Sequence, residues 1–204
     1  RDAYEEMETH MLLELGDTDI VAANAAVKVM KLREATSGFF LDEDKCVIET
    51  GTTKLRELED LLEEIGNNQV IIWTHFHHEA DQIMGALGAK AARADGSVSQ
   101  IKKQQAIDDF KSGKIQYLVG HPASIGHGIT LTNCSYMIYY SLSYSYELHQ
   151  QSMDRIYRYG QVNACSYYYL VAPGTIDEAI VKALAHKGNL AREVFLEIKK
   201  RRNK

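Results

Sequence analysis

The sequence predicts an α/β domain built on a mostly parallel β-sheet flanked by helices. Val70-Ile71-Ile72-Trp73 is a continuous apolar run, the pattern of a strand covered on both faces. Further strand-like runs follow at about Lys90 to Ala94, Gln116 to Val119, Tyr136 to Tyr140 and Ser166 to Val171, with helical periodicity between most of them. Parallel strands need crossover connections, so this alternation implies right-handed strand-helix-strand units, with ligands at the carboxyl ends of the strands.

Taken in order, Tyr4, Met7, Met11, Leu12 and Leu15 fall at helical spacing, and a second helix is expected from Ile20 to about Ala35. Gly38 to Leu41 and Cys46 to Glu49 read as two extended segments joined by a polar tip, hence a hairpin. Leu55, Leu58, Leu61, Leu62 and Ile65 predict an amphipathic helix, and another is expected near His77 to Leu87. Ser97 with Gln100 has the spacing of a capping box opening the next helix. A helix is expected from about Tyr146 to Tyr159. Thr175 with Glu178 repeats the capping-box spacing, opening a helix that breaks at Gly188, after which Asn189 caps a last helix to about Lys199.

With 204 residues and a net charge of −5, one substantial domain is the default. No apolar run approaches the roughly 20 residues that span a bilayer, and the first ten residues lack a secretory pattern, so no membrane association and a cytoplasmic location are expected. Cys46, Cys134 and Cys165 are odd in number and far apart, which suits reduced, core-packed thiols. The sequence opens at Arg1 without an initiator methionine, so a piece of a longer polypeptide is expected. Net acidity leaves room for local basic patches, at Lys102, Lys103, Lys111 and Lys114 and again from Lys199 to Lys204, although the latter also suits a solvated helix end.

Two segments carry chemistry. In Gln151-Ser-Met-Asp154-Arg155-Ile-Tyr-Arg158-Tyr-Gly160-Gln161, a helix would set Arg155 and Arg158 on one face, one turn apart. Forked, permanently charged guanidiniums suit a transferring phosphoryl group, and the same spacing suits surface pairing with Asp154 and Glu147. The second segment, Gly120 to Leu131, follows a strand and carries Gly126, Gly128, Ser124 and Thr130. Its glycines and short hydroxyls suit phosphate contact, or simply a tight turn.

Together, Ile125-Gly126-His127-Gly128-Ile129-Thr130-Leu131-Thr132 and Gln151 to Gln161 resemble motifs V and VI of superfamily-two helicases, most closely the SWI/SNF-type branch. Leu32 to Leu41, Gln69 to Phe76, and Asp95-Gly96 with the Ile107 to Phe110 helix resemble the other segments of that family's second lobe. The resemblance implies a RecA-like fold of the P-loop NTPase type, with residues 1–50 a lead-in and residues 51–204 the C-terminal helicase domain of one lobe. It implies that Arg155 and Arg158 act as arginine fingers, Arg158 the essential one, with Gln151 and Asp154 ordering their helix. Gly126 and Gly128 would shape the nucleotide-sensing loop, and Ser124, His75, Gly96 and His121 would line the nucleic-acid track. ATP and Mg2+ would be bound mainly by an N-terminal RecA-like lobe of the same polypeptide, since no Gly-x-x-x-x-Gly-Lys-Ser/Thr loop occurs here. DNA is the expected partner ahead of RNA.

Where the SWI/SNF pattern has an acidic residue followed by Trp-Asn-Pro, this chain has Ser141-Leu-Ser-Tyr144-Ser-Tyr. That texture resembles compact phage-encoded or bacterial relatives, and with them the cytoplasm of a bacterial or phage-infected cell. His75, His77 and His78 stand at no convincing metal spacing, so no metal site is expected. Tyr167-Tyr-Tyr169 reads as strand packing ahead of base stacking. The competing function is a catalytically inactive docking module of the same fold, which intact Arg155 and Arg158 disfavour. A Rossmann-type enzyme would need a glycine-rich turn after Trp73, where Thr74-His-Phe-His-His stands instead.

Overall fold

A computed structural model describes residues 4–5, 21–42, 44–125 and 129–185. The expected first helix beyond Glu5, the expected last helix and the basic run from Lys199 to Lys204 lie outside these residues. The chain divides into two compact units, Arg1–Lys54 with Val171–Lys204, and Leu55–Leu170.

In the first unit, helix α1 (Val21–Thr36) precedes an antiparallel hairpin of β1 (Phe39–Leu41) and β2 (Val47–Glu49), as expected. Gly38 at the hairpin's base has φ +85°, and a Cβ there would stand 2.2 Å from the Gly51 carbonyl oxygen, so only glycine fits. The Gly38 carbonyl in turn accepts from Thr50 N at 2.8 Å. Helix α6 (Ile176–Ala185) packs on α1. Its Asp177 carboxylate is buried and accepts from Lys54 Nζ (2.8 Å), Thr36 Oγ1 (3.1 Å) and Ala172 N (3.2 Å).

The second unit is the α/β domain. Helix α2 begins at the boundary between the units (Thr53–Ile65) and leads to β3 (Val70–Trp73), α3 (His77–Leu87), β4 (Ala91–Ala94), α4 (Gln100–Lys111), β5 (Tyr117–Gly120), β6 (Tyr136–Tyr139), α5 (Tyr146–Met153) and β7 (Ser166–Tyr169). The sheet order is β4-β5-β3-β6-β7 and every pairing is parallel. β3 is central and all four of its residues are buried, the physical meaning of its unbroken apolar run. Leu58, Leu62 and Ile65 of α2 and Ala80 and Ile83 of α3 share one core with Val70, Ile72, Val119 and Ile138 of the sheet.

Three local expectations change. The N-cap of α4 is Ser99, whose Oγ accepts from Lys102 N at 3.4 Å; Ser97 is occupied instead with Asp95. Helix α5 ends at Met153 rather than near Tyr159, because the Arg155 carbonyl, which a continuing helix would use, accepts from Leu131 N at 2.8 Å. Of the three free cysteines only Cys134 is core; Cys46 is exposed and Cys165 half-buried. Burial pushes the Cys134 thiol up to about 12, so it is inert at neutral pH.

Replacing Asp177 with Ala removes the buried carboxylate that the Lys54 ammonium meets at 2.8 Å. The expected cost is about 3–5 kcal/mol, read as a lowered urea midpoint. The double variant Lys54→Met/Asp177→Leu is expected to recover most of it.

Candidate functional site

The strand ends of β3, β4 and β5 turn out their loops at one edge, and there His75, Asp95, Gly96, His121 and Ser124 line a single cleft. Four of the residues singled out from sequence are thus brought together. The His75 and His121 rings lie 5.2 Å apart by their centroids, and a Cβ on Gly96 would sit 3.8 Å from Ser124 Oγ. Ala123 N–H donates to His121 Nδ1 at 3.1 Å, which leaves the neutral ring's proton on Nε2. At the rear of β5, a Cβ on Gly120 would come within 2.7 Å of the Ala94 carbonyl oxygen, so glycine there lets β4 and β5 approach at the cleft's floor.

The cleft is shaped by a buried acid that sequence reading left aside. Asp95 is 2% exposed and accepts from Arg93 Nε (2.8 Å), Ser97 N (2.8 Å), Ser97 Oγ (2.5 Å) and His77 Nδ1 (3.2 Å). Arg93 also pairs with Asp81. Burial pushes the Asp95 carboxyl up, yet the bonds from Arg93, Ser97 and His77 together outweigh it and hold the group well below the usual carboxylate range. A second buried acid, Glu79, takes the His75 and Phe76 amides and the Ser141 hydroxyl on one oxygen. The available signal was an acidic residue in the first turn after a strand, where the helix dipole favours it.

The arginine segment is not the helical face the spacing suggested. Past Met153 the chain runs in turns through Gly160, whose φ is +99°, and the two arginines part company. Arg155 is 5% exposed, its NH1 donating to the Ile129 carbonyl at 3.3 Å and its NH2 to the Ile125 carbonyl at 3.4 Å. Its Nε is buried without an acceptor. Burial first, then the nearby Arg158 charge, lowers its pKa, with Asp154 opposing. Arg158 is exposed and its NH1 donates to Thr130 Oγ1 at 3.1 Å. Glu147, offered from sequence as an ion-pair partner, instead accepts from Gln151 Nε2 at 3.0 Å. Asp154 is exposed at the C-cap of α5, and Gln161 Nε2 donates to the Cys134 and Ile156 carbonyls. Gly126 and Gly128 lie outside the described residues, but Arg155 grips the chain on either side of them.

Among the described residues no group of three His, Cys, Asp or Glu side chains is placed to hold a metal ion, His75, His77 and His78 included. No described helix is long and apolar enough to cross a membrane. Tyr167-Tyr-Tyr169 is half-buried: the Tyr169 ring stacks on Tyr139 with centroids 5.0 Å apart, and Tyr167 Oη donates to the Met153 carbonyl at 3.3 Å.

Comparison with known proteins adds a family. A model of the helicase conserved C-terminal domain matches residues 53–160. A putative protein p41 from Acyrthosiphon pisum secondary endosymbiont phage 1 is 29% identical over 99% of this chain and 44% of its own length. The DNA repair protein rhp54 of Schizosaccharomyces pombe is 29% identical over 68% of this chain and 17% of its own. The chromatin-remodeling ATPase INO80 of Aspergillus oryzae is 30% identical over 72% and 10%. The chain therefore spans less than half the length of these relatives. Among solved structures, the C-terminal part of the Fun30 ATPase domain superposes with a TM-score of 0.60 at 22% identity, over 72% of this chain and 54% of that one.

Because its folded pKa is depressed, Asp95 contributes stability that is present above the ordinary carboxylate pKa and lost as pH falls toward the folded value. Asp95→Asn is expected to lower stability by roughly 2–3 kcal/mol at pH 7, the scale of hydrogen bonds to a charged group. In denaturant titrations from pH 7 to pH 3 the gap between the two proteins should narrow. A constant gap would mean that the charge of Asp95 is not what holds the loop.

Proposed function

The chain belongs to the helicase conserved C-terminal domain family, in the SWI/SNF-type branch of superfamily two, and on that footing we propose that it is the arginine-bearing lobe of a nucleic-acid-dependent ATPase. Its five-stranded parallel sheet is RecA-like. In this reading residues 1–50 are a lead-in to the same lobe. An N-terminal RecA-like lobe of the parent polypeptide holds ATP and Mg2+, and this lobe meets it across the nucleotide.

The observation that carries the proposal is the division of labour between the arginines. Arg158 is exposed, steadied through Thr130, and free of burial that would prevent it from reaching outward. Its guanidinium is assigned to the charge that accumulates on the γ-phosphate oxygens as the phosphoryl group transfers. Arg155 is assigned to the same edge, fixing the loop that contains Gly126 and Gly128, which senses whether nucleotide is present. Gln151 and Asp154 order the segment from which both arginines depart. The cleft of His75, Gly96, His121 and Ser124 is assigned to the phosphate backbone of DNA, which short donors and a glycine's close approach suit. The phage relative, alike over almost the whole chain, supports placing the protein in the cytoplasm of a bacterial or phage-infected cell.

In the parent protein, Arg158→Ala is expected to reduce ATP turnover by roughly 10³ to 10⁵, the usual worth of an arginine finger, with little change in nucleic-acid affinity. Arg158→Lys should not restore it, since an ammonium lacks the fork. Full turnover in Arg158→Ala would refute the assignment, and a parent protein that binds DNA but never hydrolyses ATP would make this a docking module. Affinity for duplex DNA should fall linearly with the logarithm of salt concentration; a flat dependence would remove the phosphate contacts from the picture.

A further inference from the structure

We propose that Glu79 is a positioning residue that couples the cleft to the arginine segment through Ser141, so that nucleic acid seated in the cleft sets the rate of ATP turnover. The inference rests on the functional reading above and adds a route between its two halves.

The Glu79 side chain is fully buried. One oxygen, Oε2, accepts three bonds: His75 N at 2.9 Å, Phe76 N at 3.0 Å and Ser141 Oγ at 2.6 Å. His75 N is shared, donating also to Ser141 Oγ at 2.8 Å. The three groups thus form a closed triangle between the loop after β3 and the residue that leaves the buried end of β6. A buried carboxylate satisfied by charge-assisted bonds at a helix N-terminus is stiff, because losing any partner exposes it to the full cost of desolvation. His75 therefore does not shift within the cleft unless Ser141 shifts with it.

Ser141 passes that displacement onward over a short path. Ser145 N donates to Ser143 Oγ at 3.1 Å, and Ser145 Oγ caps α5 by accepting from Leu148 N at 3.2 Å. One turn into α5, His149 reaches the small cavity that His75 and Ser141 also line, and its Nε2 lies 3.1 Å from Tyr169 Oη. Ser152, one turn further, is bonded to Tyr139 Oη at 2.6 Å. The helix so pinned delivers the chain to Arg155 and Arg158. A cap for α3 would need Glu79 to take only the His75 and Phe76 amides; the bond to Ser141, across the sheet's carboxyl edge, is what a capping role leaves unexplained.

The experiment uses the full-length parent protein, with ATP hydrolysis measured in the absence and presence of duplex DNA alongside a thermal melt. Glu79→Met keeps the length of the side chain and removes every bond. It is expected to retain basal turnover and to lose about tenfold in the stimulated-to-basal ratio, within the usual range of coupling between two sites. In Glu79→Met/Ser141→Asp a carboxylate is returned from the other side, within reach of the same His75 amide, and stimulation is expected to return. Ser141→Ala, which removes the same cross-strand bond from its other end, replaces the Met variant if the latter fails to melt cooperatively, with the same expected loss and the same consequence if stimulation is unchanged. Stimulation unchanged in a folded Glu79 variant, or a folded double variant with no recovery, overturns the coupling while leaving the ATPase reading intact. A wild-type parent that is indifferent to nucleic acid overturns the reading itself, and the coupling with it.

Discussion

A buried guanidinium with no carboxylate in ion-pair reach among the described residues governs the ligand edge of this domain. Arg155 is desolvated, and its charge is compensated by the carbonyls of Ile125 and Ile129 rather than by an acid. Carbonyl dipoles neutralise less charge than a carboxylate, and burial first, then the neighbouring Arg158 charge, lowers the pKa of Arg155. The same contacts fix the two ends of the glycine loop, and Leu131 N holds the Arg155 carbonyl in return. Ile125, Ile129 and Leu131 are thereby tied to the arginine segment.

The architecture was legible because it rests on short-range patterning. Val70 to Trp73 reads as a doubly covered strand from its four apolar residues alone, and it is the central strand. The hairpin from Phe39 to Glu49 was signalled by its polar tip, and α2 by leucines recurring on one face. Every such element is determined by residues within a few positions of one another, which a linear reading can see.

What was not legible depends on partners distant in sequence. The early end of α5 is one case: Leu131 N, 24 residues back from the bonded Arg155, captures a carbonyl the helix would have used. Ser97 and Ser99 are equal candidates for a cap until Asp95 takes the first of them. Glu79 has the local signature of a solvent-facing first-turn acid, and only the arrival of Ser141 from 62 residues away makes it a buried one. For the candidate site, residue identities were readable from the two motifs, whereas the unequal burial of Arg155 and Arg158 was not, since three-residue spacing carries no information once the helix has stopped.

Under the proposed function, that inequality gives the two arginines different tasks. A finger must present its charge to a ligand yet be restrained, because a long free side chain loses rotamer entropy on engagement. Burying the charge would restrain it but withdraw it from the ligand, and exposing it alone would leave it mobile. Here the tasks are divided. Arg155 spends its donors inside, on the loop, and in doing so fixes Ile129 and with it the adjoining Thr130. Thr130 Oγ1 accepts from Arg158 NH1 at 3.1 Å, and in the proposed reading a phosphate oxygen, a stronger acceptor carrying full charge, competes for that donor. In the proposed reading the outer arginine turns to an arriving ligand while the inner one keeps its hold on the Ile125 and Ile129 carbonyls.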